Sequence, residues 1–210
     1  MTRLVVLAVA VAVAAAAHGA TVAASGAVEP ILKLALQRAD MPATTRKPPI
    51  ASPSPAPIPR SALAALRVPG LQGADYAYTW PAGGVVDTAI GAIDKEWHLE
   101  GSVYRAPDAA GAKKLFALGK AAQIGFFSDF PSEPRFLSRL VLPRYGDEQF
   151  VLVSTDARFG VQAMAFVRSG SVVWELRVAP IPLQFQAAKE QVVAVLRSYA
   201  AKQKRRIGGA

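Results

Sequence analysis

The stretch 149–178, QFVLVSTDARFGVQAMAFVRSGSVVWELRV, decides the fold of this chain. It holds three apolar runs of strand length: Gln149–Ser154, Val161–Arg168 and Ser171–Val178. Short turn sequences separate the runs, and the second turn is the two-residue Ser169-Gly170. Because apolar runs joined by such turns are typical of hairpins, the stretch predicts a three-stranded antiparallel meander.

The third run shows which side of this meander is buried. Its apolar residues Val172, Trp174, Leu176 and Val178 share one parity, and Glu175 and Arg177 have the other. Successive side chains of a strand point to opposite faces of the sheet, so the apolar set lies on one face. We therefore predict that Trp174 is a core residue.

Two earlier stretches show the same alternation. Tyr76, Tyr78 and Trp80 alternate with Ala77 and Thr79, which predicts a strand with one aromatic face. We expect Gly83 and Gly84 to turn this strand. Residues 95–105, KEWHLEGSVYR, predict a second strand, with one apolar face and one polar face that carries His98. A further short strand is predicted over Phe136–Leu142.

Stretches whose apolar residues have helical spacing occur before, between and after these strands in the sequence. Ser61 is a capping residue for a short helix over Ala62–Leu66, and Asp108 caps a helix that we expect to end near Ala122. A final helix over Gln184–Lys204 carries one apolar stripe. These elements predict an α+β domain over residues 61–206: an antiparallel sheet with a C-terminal three-stranded meander and helices packed on one face. Residues 207–210 form a tail.

Residues 1–27 are typical of an export signal. Arg3 precedes the apolar run Leu4–Ala17, whose length matches the ~7–15-residue core of a secretory signal and falls short of the ~20 residues that span a membrane. Small residues predict cleavage after Ala24 or Ala27. We therefore expect a secreted, extracytoplasmic protein. The alternative is a protein anchored to the membrane by an uncleaved N-terminal segment.

Two segments separate this leader from the predicted domain. Residues 28–44 place apolar side chains such as Ile31 and Leu34 at the spacing of a short helix. Residues 45–60 are proline-rich and predict an extended polyproline-like linker. In an anchored protein this linker would serve as a stalk that holds the domain away from the membrane.

Composition limits the chemistry and the partners. The chain has no cysteine, which excludes a disulfide partner, a thiolate metal site and a lipid anchor on cysteine. The formal charge is +9, and it becomes +8 without the leader, whose only charged residue is Arg3. This charge favours an anionic envelope surface or another envelope protein as partner. We expect no nucleic acid as partner. The proposed contact residues are the cations Lys202, Lys204, Arg205 and Arg206 near the C-terminus. We expect a monomer.

No catalytic motif is present in the sequence. His98 is the only histidine after the leader, so a histidine-rich zinc site is excluded, and no G-x-S-x-G or S-x-x-K motif occurs. The carboxylate pairs Glu96 with Glu100 and Asp147 with Glu148 lack a supporting motif. We therefore predict no catalytic, cofactor-binding or metal-binding residues and no cofactor. The alternative is an extracytoplasmic hydrolase that uses Asp147, Glu148 or His98 in an unrecognised arrangement.

The aromatic residues leave one further alternative open. Tyr76, Tyr78, Trp80, Trp97 and Trp174 either belong to the core or line a ligand pocket between the sheet and a helix. Periodicity does not distinguish these two roles, because an exposed and a buried aromatic face look the same in sequence.

The order of several motifs resembles a known group of proteins. The motifs are LKLALQRADMP, GADYAYTW, SVYRAPDAAGAKKLF, YGDEQFVLVS and AFVRSGSVVWELRV, followed by an amphipathic helix. This order resembles a broad group of uncharacterised secreted bacterial proteins, which includes actinobacterial envelope proteins and receptor-kinase sensor domains with a PsbP/Mog1-like α+β sandwich. Many members of the group carry a lipid anchor or disulfides, which this chain cannot form. The resemblance implies a nonenzymatic binding or sensor-like domain of the cell envelope.

Overall fold

The structure, a computed structural model, describes residues 29–45, 55–88, 91–128, 136–139, 142–156, 160–181 and 187–209. The predicted export signal lies outside these residues. The strands are β1 (Ala56–Pro57), β2 (Gln72–Thr88), β3 (Gly91–Arg105), β4 (Phe136–Arg139), β5 (Glu148–Asp156), β6 (Gly160–Ser169) and β7 (Val172–Ile181). The α-helices are α1 (Glu29–Leu34), α2 (Arg60–Ala65), α3 (Ala109–Ser128) and α4 (Lys189–Gly208), and a 3-10 turn spans Arg38–Asp40.

One seven-stranded sheet organises the molecule. Its strand order is β1-β2-β3-β7-β6-β5-β4, and every neighbouring pair is antiparallel. Consecutive strands β5, β6 and β7 form the C-terminal meander, so the predicted α+β class and meander are confirmed. The meander joins the β2–β3 hairpin through β7, which pairs with β3 in the centre of the sheet.

Helices cover both faces of this sheet, and the prediction that they pack on one face is wrong. α4 and α1 pack against the face that carries Trp174, which is 0% exposed. α3 packs against the other face, where Phe116 stacks on Phe166 with ring centroids 5.3 Å apart. The reason is that the central strands are apolar on both sides. Val173, beside Trp174, is also fully buried and needs its own cover.

The N-terminal segment, defined as residues 29–45, belongs to the same core. Ile31, Leu34 and Leu36 are buried together with side chains of the sheet and of α4. The hydroxyl of Tyr78 on β2 donates to the carbonyl of Leu36 over 2.9 Å. The domain therefore begins well before Ser61, which corrects the predicted boundary.

The proline-rich stretch 45–60 connects two parts of one fold. Upstream of it, the N-terminal segment is docked in the core. Downstream, Ala56 and Pro57 pair with Asp75 and Ala74 of β2, and Ile58 is buried. Residues 46–54 lie outside the described part of the chain. Because both ends of the stretch are attached to the same sheet and core, it is not a stalk that precedes the domain.

Several element ends differ from the sequence predictions. Gly83 and Gly84 do not end β2: both have positive φ and lie at an irregularity in the β2–β3 register between Pro81 and Val85. α2 begins at Arg60 after Pro59, so Ser61 lies inside the helix and is not its cap. α3 extends beyond Ala122 to Ser128, while its predicted cap is present, because Asp108 Oδ1 accepts from the N–H of Gly111 over 2.7 Å.

Among the residues that the structure describes, no helix has the length and apolarity needed to cross a membrane.

Candidate functional site on the α3 face of the sheet

A group of polar side chains lies on the α3 face of the sheet, across β2, β3 and β7. Strand register creates it: Ser102 in β3 stands opposite Asp75 in β2 and Glu175 in β7. Two residues earlier in β3, Glu100 stands opposite Arg177. We call the six residues Asp75, His98, Glu100, Ser102, Glu175 and Arg177 the polar face. All six are half-buried.

Neutral donors hold the two outer carboxyls of the Ser102 row. The hydroxyl of Ser102 donates to Asp75 Oδ1 over 2.7 Å. The amide of Gln123, which reaches down from α3 and is 8% exposed, donates to Glu175 Oε1 over 3.1 Å. These bonds orient both carboxyls without supplying a positive charge.

Burial dominates the protonation of these two carboxyls. It raises the pKa of Asp75 to about 6, with a further upward contribution from the charge of Glu100, although the hydrogen bond from Ser102 opposes the shift. Burial also raises the pKa of Glu175 to about 6, against the lowering effect of Arg177. Both groups therefore change charge in a pH range where ordinary carboxylates are fully ionised.

The neighbouring row behaves in the opposite way. Glu100 lies 3.1 Å from an Arg177 nitrogen and 3.3 Å from His98 Nε2. Burial alone would raise the pKa of Glu100, but the hydrogen bond from His98 and the positive charges of Arg177 and His98 together lower it. The polar face thus combines one stabilised carboxylate with two carboxyls that bind a proton readily.

A shallow depression adjoins the polar face at Arg177. It is lined by Leu152, Ser154, Gln162, Ala163, Met164 and Arg177. Ser154 and Met164 are buried there, whereas Arg177 is partly exposed. The depression brings a charged group, a hydroxyl and an amide beside apolar side chains, but its volume of about 10 Å³ is far too small for a small-molecule ligand.

The aromatic residues contribute little to such a depression. Tyr76, Tyr78, Trp80 and Trp174 are buried in the core on the α4 face, and Trp97 packs against that core. Their partners are other core side chains; Trp80, for example, lies 5.2 Å from Tyr199 between ring centroids. The core alternative for these aromatic residues therefore holds.

The structure places the two carboxylate pairs that the sequence offered in different surroundings. Glu96 and Glu100 lie on one strand, four residues apart, and Glu100 contacts His98. Asp147 and Glu148 stabilise the meander: Arg168 bonds to both, and Asp147 also accepts from the N–H of Gly170 over 2.8 Å. This network joins the turn after β6 to the loop before β5.

The four C-terminal cations lie in helical turns of α4. Lys202 donates to the carbonyl of Asp40, and Arg206 bonds to the carboxylate of Asp40 in the N-terminal segment. Lys204 donates to the carbonyl of Arg144 over 2.9 Å, and Arg205 is exposed. Three of the four predicted contact residues, Lys202, Lys204 and Arg206, therefore also have a structural role.

No sequence pattern indicates the polar face as a unit. Asp75, Ser102 and Glu175 are far apart along the chain and belong to no motif; only the antiparallel register places them in one row. Among the described residues, no group of three or more histidine or acidic side chains has the geometry to hold a metal ion.

The chain matches no protein-family model and no curated protein, and its fold matches no solved structure.

Proposed function

We propose that the protein is a nonenzymatic binding or sensor-like domain of the bacterial cell envelope and that the polar face is where its ligand binds. The resemblance to secreted envelope proteins with a PsbP/Mog1-like sandwich supports the class. The observation that carries the site is the row Asp75, Ser102 and Glu175, in which two half-buried carboxyls are held by neutral donors. A ligand with a cationic or proton-donating group complements such a row.

The energetic argument is one of cost. Burial raises the pKa of both carboxyls and, at Glu175, outweighs the opposing charge of Arg177, so their ionised forms are disfavoured by the fold. An apolar or hydroxyl side chain at either position would avoid this cost. Carboxyl groups with shifted pKa values are concentrated at functional sites, and they also occur in structural networks.

The test is a binding screen with the full chain. Small amines and other cationic envelope components are titrated while the amide signals of β2, β3 and β7 are followed by NMR. We expect shifts centred on Ser102 that Asp75→Asn abolishes. The matched control is Asp87→Asn, because Asp87 is an exposed acid elsewhere on β2. Shifts that persist in Asp75→Asn would exclude the polar face as the binding site.

The second candidate function is an extracytoplasmic hydrolase with an acid and histidine site. The contact between His98 and Glu100 favours it, because a carboxylate that orients an imidazole is a common part of general-base catalysis. Asp147 has no such contact with His98 and is bound to Arg168 and Gly170. A screen with model esters, glycosides and phosphates decides: activity that His98→Ala abolishes, with the fold intact, would replace the binding proposal.

The proposed location has its own test. N-terminal sequencing of the protein from the culture fluid should begin at Ser25 or Val28, after removal of the leader. Full-length chains in the membrane fraction would instead show that the leader remains as an anchor.

A further inference from the structure

The fold assembles a basic surface from three separate parts of the chain. The last turns of α4 contribute Lys202, Lys204, Arg205 and Arg206. The N-terminal segment lies against these turns, because Arg206 bonds to the carboxylate of Asp40 and donates to the carbonyl of Lys33 over 3.4 Å. This segment adds the cations Lys33 and Arg38. The loop before β5 adds Arg144, whose carbonyl accepts from Lys204. We call these seven cations the basic surface.

Acidic residues hardly offset this charge. Glu29 and Asp40 are the only acidic residues in the sequence of the N-terminal segment, and none occurs between Gln191 and Gly209. Asp147, close to Arg144 in sequence, directs its carboxylate to Arg168 and Gly170. Lys33, Arg38, Arg144, Lys204 and Arg205 are exposed, so the surface presents positive charge to its surroundings.

The position of the leader indicates what this surface meets. Residues 1–28 precede α1 directly, and α1 begins at Glu29 inside the docked N-terminal segment. The proline-rich stretch follows that segment and provides no distance between the leader and the domain. During export, or permanently if the leader stays, the apolar run Leu4–Ala17 therefore ties the N-terminal segment closely to the membrane.

We propose that the basic surface faces an anionic membrane and that phosphate groups of phospholipids are its partner. The inference rests on the proposed envelope location but not on ligand binding at the polar face. Charge complementarity supports it, because each cation near an anionic leaflet strengthens attachment about fivefold. The leader brings these cations to the membrane surface. Because the polar face lies on the other side of the sheet, an electrostatic contact of the basic surface with the membrane turns the polar face away from the lipid.

The experiment measures binding of the full chain to vesicles of phosphatidylglycerol mixed with phosphatidylcholine, and to vesicles of phosphatidylcholine alone. The test variant is Lys204→Gln with Arg205→Gln, which keeps the contacts of Lys202 and Arg206 with Asp40. The control is Lys113→Gln with Lys114→Gln on α3. It removes the same charge, and Lys114 donates to a backbone carbonyl, that of Arg67, as Lys204 does to that of Arg144. Melting temperatures establish that both variants fold.

We expect the test variant to bind anionic vesicles about thirtyfold more weakly than the parent chain, and the control to bind like the parent. Binding should also weaken with salt, since attraction is screened over ~10 Å at 0.1 M. An equal loss in both variants would show that overall charge alone acts, and no loss in either would also overturn the proposal. A test variant that loses binding to soluble polyphosphate but keeps vesicle binding would make a wall polymer the partner instead.

A second measurement applies if the leader holds the full chain on neutral vesicles as well. A water-soluble acylating reagent then modifies lysine amines on the bound protein, and mass spectrometry reads each site. On anionic vesicles, Lys33 and Lys204 should react several-fold more slowly than on neutral ones, while Lys113 reacts alike on both. Equal reactivity of all three on both vesicles would refute the proposed orientation.

Discussion

The ring of Tyr76 lies directly over Gly101, and its hydroxyl reaches the next strand. Tyr76 Oη donates to the carbonyl of Glu175 over 3.3 Å or to Gln203 Oε1 over 3.1 Å. A Cβ at Gly101 would stand 2.5 Å from that hydroxyl oxygen and 2.6 Å from Tyr76 Cζ. Glycine at this position thus allows an aromatic side chain of β2 to cross β3 and bond to β7 and α4.

Gly101→Ala should lower the free energy of unfolding by about 1–3 kcal/mol, because the new Cβ would collide with the ring of Tyr76 and, still closer, with the backbone carbonyl of Glu175 in β7. Urea unfolding followed by circular dichroism measures the loss. Gly208→Ala at the end of α4 is the control, since no described atom lies within 4 Å of a Cβ there. Equal stability of the two variants would contradict the close approach of Tyr76 to Gly101.

Gln203 in α4 links the N-terminal segment to β2 of the sheet. It is fully buried, its amide donates to the carbonyl of Leu34 over 2.6 Å, and its oxygen accepts from Tyr76. Gln203→Met should cost about 1–3 kcal/mol, because it leaves the buried carbonyl of Leu34 without its donor and removes one of the two acceptors of the Tyr76 hydroxyl. The cost should be smaller in a Tyr76→Phe background, where one of those groups is gone. Additive effects in this double-mutant cycle would exclude the bond.

Trp174 should be tested with two substitutions. Trp174→Ala should cost about 3–5 kcal/mol, as expected for a large side chain removed from a core. Trp174→Phe should cost clearly less, because the indole N–H has no hydrogen-bond partner among the described residues and nothing polar is lost. Thermal unfolding of both variants gives the order. A Trp174→Phe variant as unstable as Trp174→Ala would point to a hidden partner of the indole.

Stability should fall as pH rises through about 6. The folded pKa of Asp75 and of Glu175 is about 6, above the ordinary values of 3.8 for aspartate and 4.5 for glutamate. At pH values between the ordinary and the folded pKa, the folded state therefore binds more protons than the unfolded state. Their contribution is complete below the unfolded pKa values and is lost as pH rises through the folded ones. The lowered pKa of Glu100 acts in the opposite direction, but at more acidic pH.

Urea unfolding at several values between about pH 4 and about pH 8 measures this dependence. Asp75→Asn should flatten the curve near pH 6, whereas the exposed acid variant Asp87→Asn should leave it unchanged. A parent chain whose stability rises through this range would contradict the burial of the two carboxyls.

The C-terminal helix should be essential to the fold. A chain that ends at Ala201 loses Gln203 and the contacts of Lys202 and Arg206 with Asp40. We expect it to unfold at a clearly lower temperature and to expose the N-terminal segment to protease. The parent chain with Arg205→Gln is the control, because Arg205 is exposed. Identical protease resistance of the truncated and parent chains would show that the N-terminal segment docks without these contacts.

Elements with a local pattern could be predicted from the amino-acid sequence. Apolar runs bounded by turns predicted β5, β6 and β7, and the parity of the charged residues in β7 identified Trp174 as a core residue, because successive side chains of a strand point to opposite faces. The helix cap at Asp108 could also be predicted from the sequence, because a capping side chain bonds to a backbone N–H within three residues of itself. The α+β class follows from these local patterns.

Tertiary structure alone decided everything that depends on distant residues meeting. The second apolar face of β6 and β7 brought α3 to the side opposite α4, and no local pattern records which face a helix covers. Buried carbonyls of Leu34 and Leu36 needed donors, which Gln203 and Tyr78 supply from distant parts of the chain, so the N-terminal segment became core. The polar face arose in the same way, because the register of three strands placed Asp75, Ser102 and Glu175 in one row.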